Sequence, residues 1–210
     1  MKARYSDIRS TLRTGDIVLF SGKGIVSTGI KRGQALLARF MGNRGEKNWK
    51  WSHIGIVLKL PAYDTVMLWE STTLSNIRCV ELGRQHKGVQ LVPLSERIAS
   101  YDGEVCIRQL TSDIPELQRI VALSGLREKL KGAPYEKSTW QLIKSAYKGP
   151  FGRNKKDLSS VFCSELVAEA YQELGLLCRT PPSNEYSPAC FADPQLTLNE
   201  AQLGPRILLC

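Results

Sequence analysis

Two neighbouring apolar runs constrain the fold of this chain more than any other feature of its sequence. Residues 51–58 read WSHIGIVL and residues 66–71 read VMLWES, with a short segment containing Pro61 between them. Runs this rich in β-branched and aromatic side chains, joined by a turn, predict a β-hairpin. Shorter apolar runs predict three more strands, at 17–20, 88–94 and 104–110. Pro93 indicates that the 88–94 run lies at a strand end or a sheet edge.

Helical patterns follow in the second half of the chain. Residues 114–130 carry apolar positions at helical spacing, with Pro115 at the first helical position and Ser112 or Asp113 as the N-cap. Another helix is predicted to begin at Cys163. Further elements are predicted over 25–40 and 140–147, as helices, and over 206–210, as a final edge strand. Strands followed by helices indicate an α+β fold with an antiparallel sheet.

Length and charge indicate one basic domain spanning residues 1–210. The 29 Lys and Arg residues outnumber the 20 Asp and Glu residues, and the formal net charge of +9 favours anionic partners. Nucleic acid is not predicted as a partner, because no stretch interleaves aromatic with basic residues. No signal-peptide core follows the basic N-terminal segment, and no run reaches the roughly 18 apolar residues of a membrane span. We therefore expect a cytoplasmic protein.

The cysteines favour free thiols over disulfides or a metal site. Six of them are scattered along the chain without tight pairs, at positions 79, 106, 163, 178, 190 and 210. In a cytosolic protein this distribution is typical of free thiols. No CxxC or HxxxH spacing occurs, so neither zinc nor any other cofactor is expected.

Cys163 stands out because it opens an amphipathic helix that Gly175 is expected to end. The apolar face holds Leu166, Val167, Ala170, Tyr171 and Leu174, and the opposite face mostly Glu165, Glu169, Gln172 and Glu173. The candidate N-caps are Ser159 and Ser160. Unpaired N–H groups and the positive end of the helix dipole favour a thiolate, which is the nucleophilic form of cysteine. The alternative is that Cys163 is a core residue, as many buried cysteines are.

Only two histidines are available as a base for this thiol. His86 lies in a polar stretch, RQHK, that is typical of an exposed loop, whereas His53 begins the first strand of the predicted hairpin. In a hairpin spanning 53–58 and 66–71, Glu70 falls close to His53 across the two strands. A carboxylate beside an imidazole orients the ring and stabilises its protonated form, as a nucleophile–base–orienter triad requires. The alternative is that both are ordinary polar residues at strand ends.

Six short motifs then occur in order along most of the chain. They are RTGDIVLF (13–20), SHIGIV (52–57), WES (69–71), GVQLVPL (88–94), GAPY (132–135) and FCSELV (162–167). The ordered set resembles the circularly permuted NlpC/P60 papain-like proteins, in particular the YiiX/YaeF-like group. This resemblance implies a permuted papain-like fold, with an antiparallel sheet or partial barrel packed against helices, as a single domain over 1–210.

The resemblance also implies roles for four residues. Cys163 matches the nucleophile, His53 the base and Glu70 the orienting residue, while Tyr135 matches a tyrosine near the nucleophile that helps to hold an oxyanion or a substrate. The implied activity is that of a cysteine hydrolase of the amidase or peptidase type, acting through a thioester. A lipid esterase or acyltransferase of the same permuted type is one alternative. A non-catalytic binding module on the same fold is another.

The substrate and its acceptor stay open at this stage. The expected partner is a peptide, an amide or a lipid acyl substrate. Basic residues ahead of His53, including those of the loop 42–50, favour an anionic substrate or an anionic lipid surface, although they are also typical of a solvated loop. The insert 43–50 and the tail after Thr180 depart from the family pattern. Neither the bond that is cleaved nor the oligomeric state follows from the sequence.

Overall fold

The computed structural model of the protein describes residues 1–22, 50–60, 64–135 and 162–210. Its strands are β1 (Lys2–Ala3), β2 (Ile17–Gly22), β3 (His53–Leu60), β4 (Thr65–Thr72), β5 (Arg78–Cys79), β6 (Arg84–Gln85), β7 (Gly88–Pro93), β8 (Gly103–Arg108), β9 (Leu110–Ser112), β10 (Ala201–Leu203) and β11 (Ile207–Leu209). Its α-helices are α1 (Tyr5–Ile8), α2 (Leu94–Ala99), α3 (Glu116–Leu130), α4 (Cys163–Glu173) and α5 (Pro188–Ala192). The fold is therefore α+β, as predicted.

A seven-stranded sheet organises the described residues, in the order β1-β11-β8-β2-β3-β4-β7. Adjacent strands of this sheet pair antiparallel, except that β1 and β11 pair parallel. The sheet is thus mixed, and the expectation of a purely antiparallel sheet is wrong at this one pair. The sheet is open, with β1 and β7 at its edges, and does not close into a barrel. A two-residue N-terminal strand carries too little pattern for its pairing to be predicted.

The hairpin prediction is confirmed by β3 and β4, which pair antiparallel with Gly55 opposite Glu70. Pro93 ends the edge strand β7, again as predicted. The predicted strand 104–110 divides, because Gln109 lies outside both β8 and β9. The predicted C-terminal edge strand forms as β11, but it lies between β1 and β8 and is not itself an edge.

The two long helices begin close to their predicted positions but with different caps. Helix α3 begins at Glu116 with Pro115 as its N-cap, one residue later than predicted, and not with a polar residue at 112 or 113. Helix α4 begins at Cys163 with Phe162 as its N-cap. Its end at Gly175 is confirmed: this glycine has a φ of +72° and the N–H of the next residue bonds back to the carbonyl of Tyr171, as in a Schellman motif.

Side chains pack on both faces of the seven-stranded sheet. One core cluster joins Ile54 and Ile56 of β3 to Leu166 and Tyr171 of α4. A second cluster lies on the alternate strand positions, including Val18, Phe20, Val57 and Leu68. The strands are thus buried on both sides, which explains why their sequences read as continuous apolar runs.

Helix α4 is buried almost all round, so the polar outer face predicted for it is mostly wrong. Glu165, Glu169 and Gln172 are each only 4% exposed, while Glu173 is exposed. The tail that follows covers this side: the Gln172 side chain donates to the carbonyls of Cys178 and Pro181 at 2.8 and 3.0 Å. The tail is also less irregular than expected, because it forms a 3₁₀ turn at Ser183–Glu185 before α5.

Several predictions fall outside the described residues. They are the helices over 25–40 and 140–147, the basic loop 42–50 apart from Lys50, and the N-caps Ser159 and Ser160.

Candidate active site

The candidate site lies at the end of the sheet where β3 begins. His53 is the first residue of β3 and pairs with Phe20 of β2. Glu70 lies on β4 opposite Gly55, which places it diagonally across from His53 on the same face of the sheet. The alternation of the two strands therefore brings the imidazole and the carboxylate together, as the sequence predicted.

His53 and Glu70 form a short, shielded hydrogen bond. Nε2 of His53 lies 2.6 Å from Oε2 of Glu70, and their side chains are 12% and 0% exposed. Burial alone would lower the pKa of His53, but hydrogen bonds to Cys163 and Glu70, together with their charges, raise it to about 9. The bonds from His53 and the charge of Arg97 keep the pKa of Glu70 below its ordinary value in spite of burial. At neutral pH the pair is thus imidazolium and carboxylate.

Two further side chains hold the other oxygen of Glu70. Arg97 of α2 places Nε and Nη2 at 2.8 and 2.6 Å from Oε1 of Glu70, and Gln90 of β7 donates to the same oxygen at 3.0 Å. Arg97 is fully buried, and its Nη1 donates to the side chain of Asn76 at 2.9 Å. Oε1 of Glu70 is therefore held by Arg97 and Gln90, and Oε2 is the oxygen that bonds to His53.

Cys163 approaches the same imidazole from the opposite side of the site. It is the first residue of α4, is 5% exposed, and lies near enough to His53 to help raise the pKa of that imidazole. Since Glu70 occupies Nε2, Nδ1 is the nitrogen left for Cys163. Helix α4 is anchored by its packing on β3 and β4 and by the hydroxyl of Tyr171, which donates to the carbonyl of Gly15 at 2.7 Å.

Tyr135 lies beside the start of α4. Its ring packs edge-to-face on Phe162, with centroids 5.7 Å apart. Burial and the nearby charge of Cys163 raise the pKa of the Tyr135 hydroxyl, so it is a neutral donor at physiological pH. Residues 133–135 are held against edge strand β7 by a bridge between Gly88 and Pro134. The N–H of Val89 also donates to the carbonyl of Ala133 at 2.8 Å.

The four predicted site residues thus lie close together, but the contacts of Gln90 and Arg97 with Glu70 were not predicted. Gln90 faces Glu70 directly across β4 and β7, and strand alternation in the run 88–94 could have indicated it. Arg97 lies on a six-residue helix whose sequence carries no distinctive signal, so its contact with Glu70 follows only from the tertiary fold. His86 packs at 3.5 Å from the carbonyl of Ala133 and is half-buried, not exposed as predicted.

Within the described ranges, no group of three or more His, Cys, Asp or Glu side chains is arranged to hold a metal ion. In the same ranges, no helix is both long and apolar enough to cross a membrane.

Comparison with known proteins yields distant structural likeness only. No protein-family model matches the chain, and no curated protein matches it. Among solved structures, the chain is similar to the crystal structure of the metalloprotein yiiX from Escherichia coli O157:H7. The TM-score is 0.49 and the identity 14%, over 95% of this chain and 97% of that chain. This neighbour is a YiiX-like protein, the group that the six motifs resemble, but a likeness at this level carries no argument about activity.

Proposed function

We propose that this protein is a cysteine hydrolase of the amidase or peptidase type, with Cys163 as nucleophile, His53 as base and Glu70 as the orienting residue. The short hydrogen bond between His53 and the buried Glu70, with Cys163 near enough to raise the pKa of His53, is the observation that carries this proposal. A nucleophile bonded to a base, and a base bonded to a buried orienting group, is the arrangement that activates a thiol. With His53 preceding Cys163 in the chain, we also propose that the fold is the permuted NlpC/P60 papain-like one.

The proposed reaction passes through a thioester. Cys163 gives its thiol proton to His53 and its Sγ attacks the carbonyl carbon as the thiolate; the imidazolium of His53 then gives that proton to the leaving nitrogen or oxygen as the bond breaks. A water molecule next loses a proton to His53 and attacks the thioester carbon, which releases a carboxylic acid and restores the thiolate of Cys163 beside the imidazolium of His53. Glu70 stays ionised throughout and stabilises each imidazolium state.

In this mechanism, two groups stabilise the oxyanion of the tetrahedral intermediates. The N–H groups of the first turn of α4, including that of Cys163, have no partner within the helix. The Tyr135 hydroxyl lies in the same region. One donor of this kind is typically worth about 3 kcal/mol of transition-state stabilisation.

The substrate in this proposal is a peptide, an amide or a lipid acyl compound. The chain's net charge of +9 favours an anionic substrate or an anionic lipid surface. A lipid esterase or acyltransferase would use the same three residues, so the choice depends on what lies beside the site.

Thiol alkylation tests the proposal without a known substrate. Cys178 and Cys210 are exposed whereas Cys163 is buried, so exposure alone predicts that Cys178 and Cys210 react first with iodoacetamide at pH 6. An activated Cys163 reverses this order. The adduct on each cysteine can be followed by peptide mass spectrometry.

Variants separate catalysis from a non-catalytic binding module. His53→Ala should abolish the preference for Cys163, whereas His86→Ala, at the other histidine, should preserve it. Alkylation in order of exposure in the wild type would favour the binding module.

Turnover gives a second test, with a substrate found by screening peptides and acyl lipids. This turnover should vanish in Cys163→Ala while circular dichroism shows an unchanged fold. Full turnover in that variant would exclude Cys163 as the nucleophile.

A further inference from the structure

The orienting residue of the candidate site is a buried carboxylate, and its charge has a cost for the nucleophile. Burial opposes the charge of Glu70, but the bonds from His53 and the charges of His53 and Arg97 keep its pKa below the ordinary value. A thiolate on Cys163 and an imidazolium on His53 cancel each other, so an ionised Glu70 adds one negative charge to this pair. A negative charge near a thiolate favours return of its proton.

Arg97 carries the positive charge that cancels this excess. It is fully buried and places Nε and Nη2 at 2.8 and 2.6 Å from Oε1 of Glu70, the oxygen that does not bond to His53. Among the described residues, Glu70 is the one carboxylate with which Arg97 forms an ion pair. Nη1 of Arg97 donates to the neutral side-chain oxygen of Asn76 at 2.9 Å. The charge of Arg97 is therefore directed at Glu70.

The neighbouring polar groups leave this balance unchanged within the described part of the chain. Gln90 of β7 is neutral and donates to Oε1 of Glu70 at 3.0 Å. Burial, and in part the charge of Glu70, raises the pKa of Tyr101, which follows α2, to about 12. Burial also raises the pKa of Tyr135 beside Cys163. Both hydroxyls are thus neutral at physiological pH, and the site with its thiolate formed has no net charge.

We propose that Arg97 is a positioning residue of the candidate reaction: by neutralising Glu70, it lets this carboxylate hold the imidazolium of His53 without driving the thiol proton back onto Cys163. If the proposed hydrolase function holds, on which this role rests, Arg97 touches neither the substrate nor the reacting atoms and acts through Glu70. The counterion is required because the orienting residue is charged. A neutral amide at position 70 would orient the imidazole without one.

Two pH titrations measure the effect of Arg97. Iodoacetamide reacts with the thiolate, so the alkylation rate of Cys163 rises with pH through a midpoint at which half of the thiolate is formed. The loss of the imidazolium proton of His53 is followed by NMR, and His86→Ala assigns the ring signals because the chain has two histidines. Arg97→Met leaves Glu70 unbalanced, so both midpoints should rise by about one pH unit.

The conservative variant separates charge from packing. Arg97→Lys keeps the positive charge and loses the planar fork, so it should destabilise the fold while both midpoints stay within about 0.3 pH unit of the wild type. If Arg97 served only to stabilise the fold, neither Arg97→Met nor Arg97→Lys would move a midpoint. Equal shifts in the two variants would also overturn the proposal.

Asn76→Asp gives the same test without removing any contact of Arg97. Asn76 is exposed and its side-chain oxygen already accepts from Nη1, so aspartate keeps this bond and adds a negative charge beside Arg97. Both midpoints should rise by about half a pH unit at low salt, and by less as salt is added. Gln118→Glu makes the same amide-to-carboxylate change on the exposed side of α3 and should leave both midpoints within about 0.1 pH unit.

The outcomes distinguish this role from the hydrolase proposal. Unmoved midpoints in Asn76→Asp, or shifts equal to those of Gln118→Glu, would overturn the role of Arg97 even where Arg97→Met does not fold. A wild type in which Cys163 has no preference in alkylation would instead refute the hydrolase proposal. The His53 titration, which needs no reactive thiol, then decides by itself whether Arg97 sets the charge at Glu70.

Discussion

Replacing Arg97 with methionine removes the main counterion of Glu70 inside the protein. Both side chains are fully buried, and two guanidinium nitrogens lie at 2.8 and 2.6 Å from one carboxylate oxygen. Removing one partner of such a pair typically costs about 3–5 kcal/mol, because a buried charge is left uncompensated. Gln90 and His53 still bond to the carboxylate in the variant, so we expect a cost near the lower figure, about 3 kcal/mol.

Urea denaturation followed by circular dichroism at pH 7 measures this loss. For a chain of this length, 3 kcal/mol corresponds to a fall in Tm of about 6–12 °C. Arg97→Lys is the matched control, since it keeps the charge but loses the planar fork, and it should fall between the wild type and Arg97→Met.

A second substitution tests whether the charge is the cause. Glu70→Gln removes the negative charge, so adding it to Arg97→Met should cost less than the sum of the two single changes by at least about 1 kcal/mol. A loss below 1 kcal/mol for Arg97→Met alone, or strictly additive effects, would refute the view that Arg97 holds an ionised Glu70.

Two further predictions concern stability around the site. His53 has a pKa of about 9, above its ordinary value. Its contribution to the free energy of unfolding is therefore complete below pH 6.5 and is lost as the pH rises to 9. The wild type should lose more unfolding free energy over this range than His53→Gln, and parallel pH curves of the two proteins would contradict the assignment. Gly88 has a φ of +140° and a Cβ there would collide with the Ala133 carbonyl oxygen, so Gly88→Ala should cost at least about 2 kcal/mol in urea denaturation. Gly125→Ala, on an exposed and open helical position, should instead stabilise by up to about 1 kcal/mol; equal effects of the two changes would contradict this reasoning.

Local periodicity was enough to predict the elements that carry the candidate residues. The 51–58 and 66–71 runs predicted the hairpin, and strand alternation predicted that His53 and Glu70 lie on one face of it. The helical spacing after Cys163, ending at Gly175, predicted α4. These signals are strong because each depends on residues within one element or on two strands joined by a short turn.

Contacts between distant segments could not be predicted in this way. The sequence alone determined that a thiol, an imidazole and a carboxylate were available on a helix start and a hairpin. The tertiary structure decided that Arg97 and Gln90 hold Glu70, that the Gln172 side chain bonds to the tail, and that Glu165 and Glu169 are buried. Burial and charge pairing depend on which surfaces pack together, and sequence periodicity reports only the face that each element turns inward.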